Sequence, residues 1–194
     1  MFRLTPVVRN LVIINVIVFL AQQMMPGLDR ILSLYSPATD NFRPYQLFTY
    51  MFAHGGWLHI FFNMLILATT GPILEQFWDQ KKFLIFYLVT GIGAGIFHLL
   101  IQYYFFPYEI GVGMLGASGA IYGILMGFGM LFPNMEMMLL IPPIPIKAKY
   151  LVWVLGGMTY LMSGSGVAHF AHLGGIIFAF IMIRIWRTQG GGRY

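Results

Sequence analysis

Long apolar stretches, separated by short clusters of Lys, Arg, Gly and Pro, dominate this chain and settle its solvent before its fold. Of the 194 residues, 59% are hydrophobic and 9% charged, against roughly 45–50% and about 25% in soluble domains. A helix needs about 20 apolar residues to cross a bilayer. The expectation is therefore an all-α polytopic membrane protein, with spans near 7–25, 54–76, 82–106, 115–132, 148–162 and 167–186, the fifth of them short. These six leave no length for a separate soluble part, so 1–194 reads as a single transmembrane domain. The same environment argues against nucleic acid as a partner despite the net charge of +5. With no cysteine, disulfides and thiolate metal sites are excluded. The first stretch has Arg3 and Arg9 ahead of an apolar core, as in a signal peptide, but no small-residue cleavage site follows and five more spans do. It is expected as a retained helix.

Orientation follows from the cations. With the N-terminus in the cytoplasm, an even number of spans returns the C-terminus there. Arg3, Arg9, Lys81, Lys82, Lys147, Lys149, Arg184, Arg187 and Arg193 then lie inside, and only Arg30 and Arg43 outside. Nine against two is the bias that the positive-inside rule expects. The fourth and sixth spans run from outside to inside in this arrangement, which brings Ser118 and His172 to the same depth near the outer face.

The connections differ in character. Residues 26–53 mix Leu28, Ile31, Leu32, Leu34 and Tyr35 with Asp29, Arg30, Asp40 and Arg43. That mixture suits a segment lying in the outer leaflet and suits an ordinary surface loop equally well. Residues 137–146, MMLLIPPIPI, contain three prolines. These forbid a spanning helix and imply an extended hairpin or interfacial stretch.

Polar groups at membrane depth are costly, so each needs a reason. Ser118 sits in Gly116-Ala117-Ser118-Gly119 at the start of the fourth span. Gly119, Gly123 and Gly127 recur every four residues and line one helix face with hydrogen atoms, so that a neighbouring helix can approach closely. Packing alone accounts for such a stripe, and a lone serine can simply bond a backbone carbonyl. His172, within Ala171-His172-Leu173-Gly174-Gly175 of the sixth span, can likewise be a buried packing residue. Its two glycines, however, would let the sixth helix press on the glycine face of the fourth and bring imidazole to hydroxyl. A neutral imidazole in that position takes a serine proton and returns it to a leaving amine. Tyr122, one turn beyond Ser118, shares its face and is placed to stack on the ring or to fill the core.

None of the six carboxylates, Asp29, Asp40, Glu75, Asp79, Glu109 and Glu136, is tied by spacing to His172. The expectation is a Ser118–His172 dyad rather than a triad. In the second span His59 and Asn63 lie four apart on one face of its outer half. Two donors aimed at one point, with the Ser118 N–H as a third, are what an oxyanion requires, although either side chain can instead cross-link helices.

His59-Ile-Phe-Phe-Asn63, Gly116-Ala-Ser118-Gly119 with Tyr122, and Ala171-His172-Leu-Gly-Gly175, on the second, fourth and sixth spans, resemble the rhomboid intramembrane serine proteases in their compact six-helix bacterial form. The resemblance implies a rhomboid-like bundle in a bacterial inner membrane, Ser118 as nucleophile, His172 as base, an oxyanion site of the Ser118 N–H, His59 and Asn63, and supporting roles for Tyr122, Gly116 and Gly119. The stretch around Arg43 is similar to the family's first-loop arginine motif, with Tyr45 where tryptophan is frequent, and Ala179 stands where a glycine often follows Gly175. His54 and His169 are expected to be structural or to hold water.

The function expected is endoproteolysis of transmembrane segments near the outer leaflet, with membrane-protein substrates and the lipid bilayer as partners and no cofactor or metal. A non-catalytic rhomboid-like binding or quality-control factor is the main alternative. A zinc protease using His54, His59, His169 and His172 lacks an H-E-x-x-H motif, and an ion-coupled transporter lacks intramembrane acids.

Overall fold

A computed structural model describes residues 3–140, 142–163 and 168–189. Residues 164–167, in the expected polar connection at 163–166 and at the start of the sixth span, lie outside the described residues, as does Arg193. The chain forms α1 (Pro6–Met24), α2 (Leu28–Leu32), α3 (Gln46–Thr49), α4 (Trp57–Trp78), α5 (Gln80–Phe105), α6 (Ser118–Leu131), a hairpin of β1 (Glu136–Met138) and β2 (Pro145–Lys147), α7 (Ala148–Ser163) and α8 (Ala168–Gln189). Among the described residues, four helices are long and apolar enough to cross a membrane: α1, α4, α5 and the His169–Gln189 part of α8. This is a mostly helical, multi-pass membrane protein. At 14 and 16 residues, α6 and α7 occupy the other two expected spans but fall short of that length. The prolines at 142, 143 and 145 divert the chain into a two-stranded hairpin, one of the two forms expected for residues 137–146.

The N-terminal helix is tied to α4 by a carboxylate. Pro6 starts α1 without a side-chain cap from Thr5, and the first N–H groups of any helix lack internal partners. Glu75, only 3% exposed, supplies them: its two oxygens accept from Val7 N–H (3.0 Å) and Val8 N–H (2.9 Å), and from the Thr5 hydroxyl at 2.5 Å. Asp79, at φ +80°, then turns the chain and caps α5 through Lys82 N–H at 3.0 Å.

Helix α6 packs against α4, α5, α7 and α8 and buries Gly119 to Leu125, Gly127 and Phe128. Its glycine stripe meets α8, as expected, and also α5. A Cβ at Gly119 would meet Ala94, one at Gly123 Thr90, and one at Gly127 Phe86, all on α5. Helix α8 approaches from the flank, where a side chain on Gly175 would run into the Gly119 carbonyl. Gly174 faces Phe97 and Ala94 of α5 instead.

The connection 26–53 is folded rather than loose. Buried Gln46 accepts from Arg43 N–H (3.0 Å) and donates to the Asn41 carbonyl (3.0 Å). Leu34 and Met114 exchange backbone hydrogen bonds of 2.8 and 2.9 Å, joining this segment to the one that enters α6.

Candidate active site

Ser118 is the first residue of α6, so it stands at a helix N-terminus with unpaired N–H groups beside it. The first intrahelical bond, from Ile121 N–H to the Ala117 carbonyl, is 3.0 Å. The entry to this terminus is fixed from two sides: by the Leu34–Met114 bridge and by the Gly116 N–H, which donates to the Tyr50 carbonyl at 2.9 Å. Tyr50 is itself buried and held by its hydroxyl on the Gly91 carbonyl at 2.5 Å.

From α8, His172 brings Nε2 to 2.9 Å from the Ser118 hydroxyl oxygen, across 54 positions of sequence. Tyr122 stacks on the imidazole, with centroids 4.2 Å apart and planes 16° from parallel. The Thr159 hydroxyl donates to the Leu155 carbonyl (2.9 Å), so the Tyr122 hydroxyl donates to Thr159, also at 2.9 Å. The ring is thus held flat against His172 by a bond to α7. Among the described residues no carboxylate hydrogen-bonds to His172; Glu75 and Asp79 serve helix termini instead.

His59 reaches the same place from α4. A Cβ on Gly116 would lie 2.9 Å from His59 Nε2 and 3.7 Å from the Ser118 oxygen, so the ring edge covers the approach to the serine. Gly116 has φ +132°, a conformation that glycine adopts without penalty. Space and backbone angle both exclude a side chain there. The Gly55 N–H donates to His59 Nδ1 at 3.3 Å, which leaves the ring proton on Nε2, the atom facing Gly116. Asn63 departs from the expected geometry: its amide donates to the His59 carbonyl of its own helix at 2.8 Å, so one of its two N–H bonds is committed to the backbone.

His54 is buried beside His59, with ring centroids 5.1 Å apart, and its Nδ1 lies 3.3 Å from the Phe52 carbonyl. His169 packs near Tyr160 (5.2 Å) and His172 (6.0 Å). A cavity of about 210 Å³ opens beside the pair, lined by Tyr122, Trp153, Gly156, Tyr160, His169 and His172. No cluster of three or more metal-ligating side chains occurs among the described residues.

Sequence reasoning missed Gln22, Tyr50 and Thr159. Gln22 of α1 grips the His54 backbone in both directions, accepting its N–H at 2.9 Å and donating to its carbonyl at 3.3 Å. Each of the three acts on a partner remote in sequence and has no local motif to mark it.

A serine hydroxyl paired with a histidine, in a bundle of apolar helices, defines a polytopic membrane protein with a hydrolase-like site. Residues 41–189 match the family model described as Rhomboid domain, and the chain belongs to the rhomboid family, whose members are generally intramembrane serine proteases. Curated relatives include the Rhomboid-like protease 3 of Toxoplasma gondii, 28% identical over 74% of this chain and 52% of that protein. The Rhomboid protease AarA of Providencia stuartii is 33% identical over 66% of this chain and 50% of its own length. The Rhomboid protease GluP of Bacillus subtilis is 29% identical over 70% and 25%. The chain thus spans about half or less of the length of these relatives.

Proposed function

We propose that this protein is an intramembrane serine endopeptidase that cuts transmembrane segments of other membrane proteins with a Ser118–His172 dyad. The observation that carries this reading is the 2.9 Å contact between the Ser118 hydroxyl and His172 Nε2 at the N-terminus of α6. In the reaction, Ser118 Oγ attacks a peptide carbonyl while its proton passes to neutral His172. Carbonyl oxygen becomes an oxyanion, received by the Ser118 N–H at the positive end of α6, by His59 Nε2–H and by the remaining amide N–H of Asn63. His172 then protonates the leaving amine. Water, activated by the same imidazole, hydrolyses the acyl-enzyme and restores Ser118. Tyr122 keeps the imidazole in plane throughout. A substrate helix must unwind locally to offer its carbonyl, because an intact helix spends that group on its own N–H four residues on.

Six spans with both ends in the cytoplasm, in a bacterial inner membrane, complete the proposal. The nine-to-two distribution of Lys and Arg supports the orientation. The site then opens near the outer leaflet, and residues 1–194 act as one membrane domain whose chemistry uses no cofactor or metal. A non-catalytic binding role would leave the serine–histidine contact and the stacked tyrosine without a use.

Fluorophosphonate labelling of purified protein, together with cleavage of a transmembrane reporter, tests the reading. Both signals should disappear in Ser118→Ala and in His172→Ala. Reporter cleavage that persists in Ser118→Ala, in preparations free of host proteases, would overturn it.

A further inference from the structure

The hairpin between α6 and α7 pairs Glu136 with Lys147, Met137 with Ile146 and Met138 with Pro145. Strand alternation sends Met137, Leu139 and Ile146 inward, where they are half-buried against the core. Met138 faces outward beside the Glu136 and Lys147 positions, and Leu140 and Ile144 around the turn and Met135 at the base are exposed with it, by 66%, 55%, 46% and 39% for Met138, Leu140, Ile144 and Met135. A hairpin facing water does not ordinarily expose so many large apolar side chains. It lies at the ends of helices rather than along their sides: Ala148 N–H donates to the Met135 carbonyl at 2.8 Å, and Lys149 N–H to the Pro133 carbonyl at 3.3 Å.

The same end of the bundle gathers cations. Lys147 and Lys149 stand exposed at the hairpin's base. The Arg187 guanidinium reaches the Met130 carbonyl at 3.0 Å, and Lys82 lies over the Trp186 ring at 4.7 Å. Of the acids at this end, Asp79 caps α5 and Glu75 caps α1, while Glu136 stands opposite Lys147 in the strand register, leaving the cations in excess. An apolar tip with a basic base matches one chemistry, the boundary of a leaflet with anionic headgroups.

We propose that this hairpin is a leaflet anchor: its tip seats among acyl chains, while Lys147, Lys149 and Arg187 bind anionic phospholipid headgroups. Strand β2 runs directly into α7, which buries only Ala148, Leu151 and Val152 of its first turns, whereas Trp153, Tyr160 and Leu161 are 61%, 56% and 83% exposed. The anchor therefore holds α7 at the end where Ala148, Leu151 and Val152 are buried.

Because the chain has no cysteine, Met138→Cys and Leu140→Cys each accept a single environment-sensitive fluorophore. The labelled proteins are placed in vesicles of phosphatidylcholine, alone or mixed with phosphatidylglycerol. The expected result is a blue-shifted emission, quenched several-fold more by a shallow lipid-borne quencher than by aqueous iodide, with more protection in the anionic vesicles. Lys147→Gln combined with Lys149→Gln should remove the difference between the two lipid mixtures at unchanged helix content. Iodide quenching as strong as at an Asp40→Cys control overturns the anchor, and protection independent of headgroup charge overturns the headgroup contact. Protection that rises with protein density and ignores the lipid-borne quencher assigns the face to a second copy and ends the proposal.

Discussion

Which nitrogen of His59 carries the proton decides whether that residue can serve an oxyanion, and the choice is made by the turn that precedes α4. The Gly55 N–H occupies Nδ1, and Gln22 holds the adjoining His54 backbone by two hydrogen bonds. Gln22→Leu removes both and frees the turn. Losing an oxyanion donor outright typically costs ~10²–10³ in turnover; an indirect loss through the turn should cost less, about tenfold. Steady-state kinetics on the transmembrane reporter should show kcat falling with KM little changed. An unaltered kcat would mean that the His59 ring is held by other contacts. The proposed catalytic pair was legible because small neighbours and expected membrane depth make Ser118 and His172 conspicuous. Gln22 was not legible, since its partner is 32 positions away and one of two adjacent glutamines at a helix end carries no distinguishing pattern. Asn63 illustrates a different limit: four-residue spacing placed it on the face of His59, but the same spacing lets its amide bond the His59 carbonyl.

At the level of elements, hydropathy located the long helices because the signal is long and additive, but it named one neighbour of a stripe that several share. Gly119 and Gly123 meet Gly175 of α8 as expected, and the stripe also meets Ala94, Thr90 and Phe86 of α5, which spacing alone does not announce. Helix α5 also carries small residues, Gly91, Gly93 and Gly95 among them, so both helices offer surfaces for close approach. The short helices α2 and α3 gave no periodic signal, since four- and five-residue turns are held by tertiary bonds to Gln46 rather than by propensity. The junction of α1 with α4 is the element contact most open to test. Two backbone N–H groups and one hydroxyl converge on the Glu75 carboxylate, away from water, and hydrogen bonds to a charged acceptor contribute about 1.5–3 kcal/mol. Glu75→Gln keeps the size but turns one acceptor into a donor facing an N–H. It should cost about 1–3 kcal/mol, and Thr5→Val, which removes a single bond, about 1 kcal/mol. Unfolding midpoints in mild detergent measure both; equal stability of Glu75→Gln and the parent protein would show that solvent satisfies the α1 terminus equally well.

For the whole molecule, depth and side of the membrane turn a set of contacts into a functional reading. Ser118 opens α6 and Arg187 touches Met130 near its other end, so the serine and the basic cluster lie at opposite ends of one central helix. Whichever face holds the cations, the site faces the other. In the proposed orientation, which the positive-inside bias supports, the cations lie in the cytoplasm and the site faces the outer leaflet. A chain without cysteine makes this directly measurable. Asp40 is exposed in the connection that bonds to the Ser118 entry, and Asn134 is exposed between α6 and the hairpin. In intact cells a membrane-impermeant maleimide should label Asp40→Cys, whereas Asn134→Cys should react only after permeabilisation. The reverse pattern would move the site to the cytoplasmic side and, with it, the end of the substrate segment at which cleavage is expected. Labelling of both positions in intact cells would mean that the ends of α6 do not face opposite compartments, and α6 would then have to be read as a helix that does not cross.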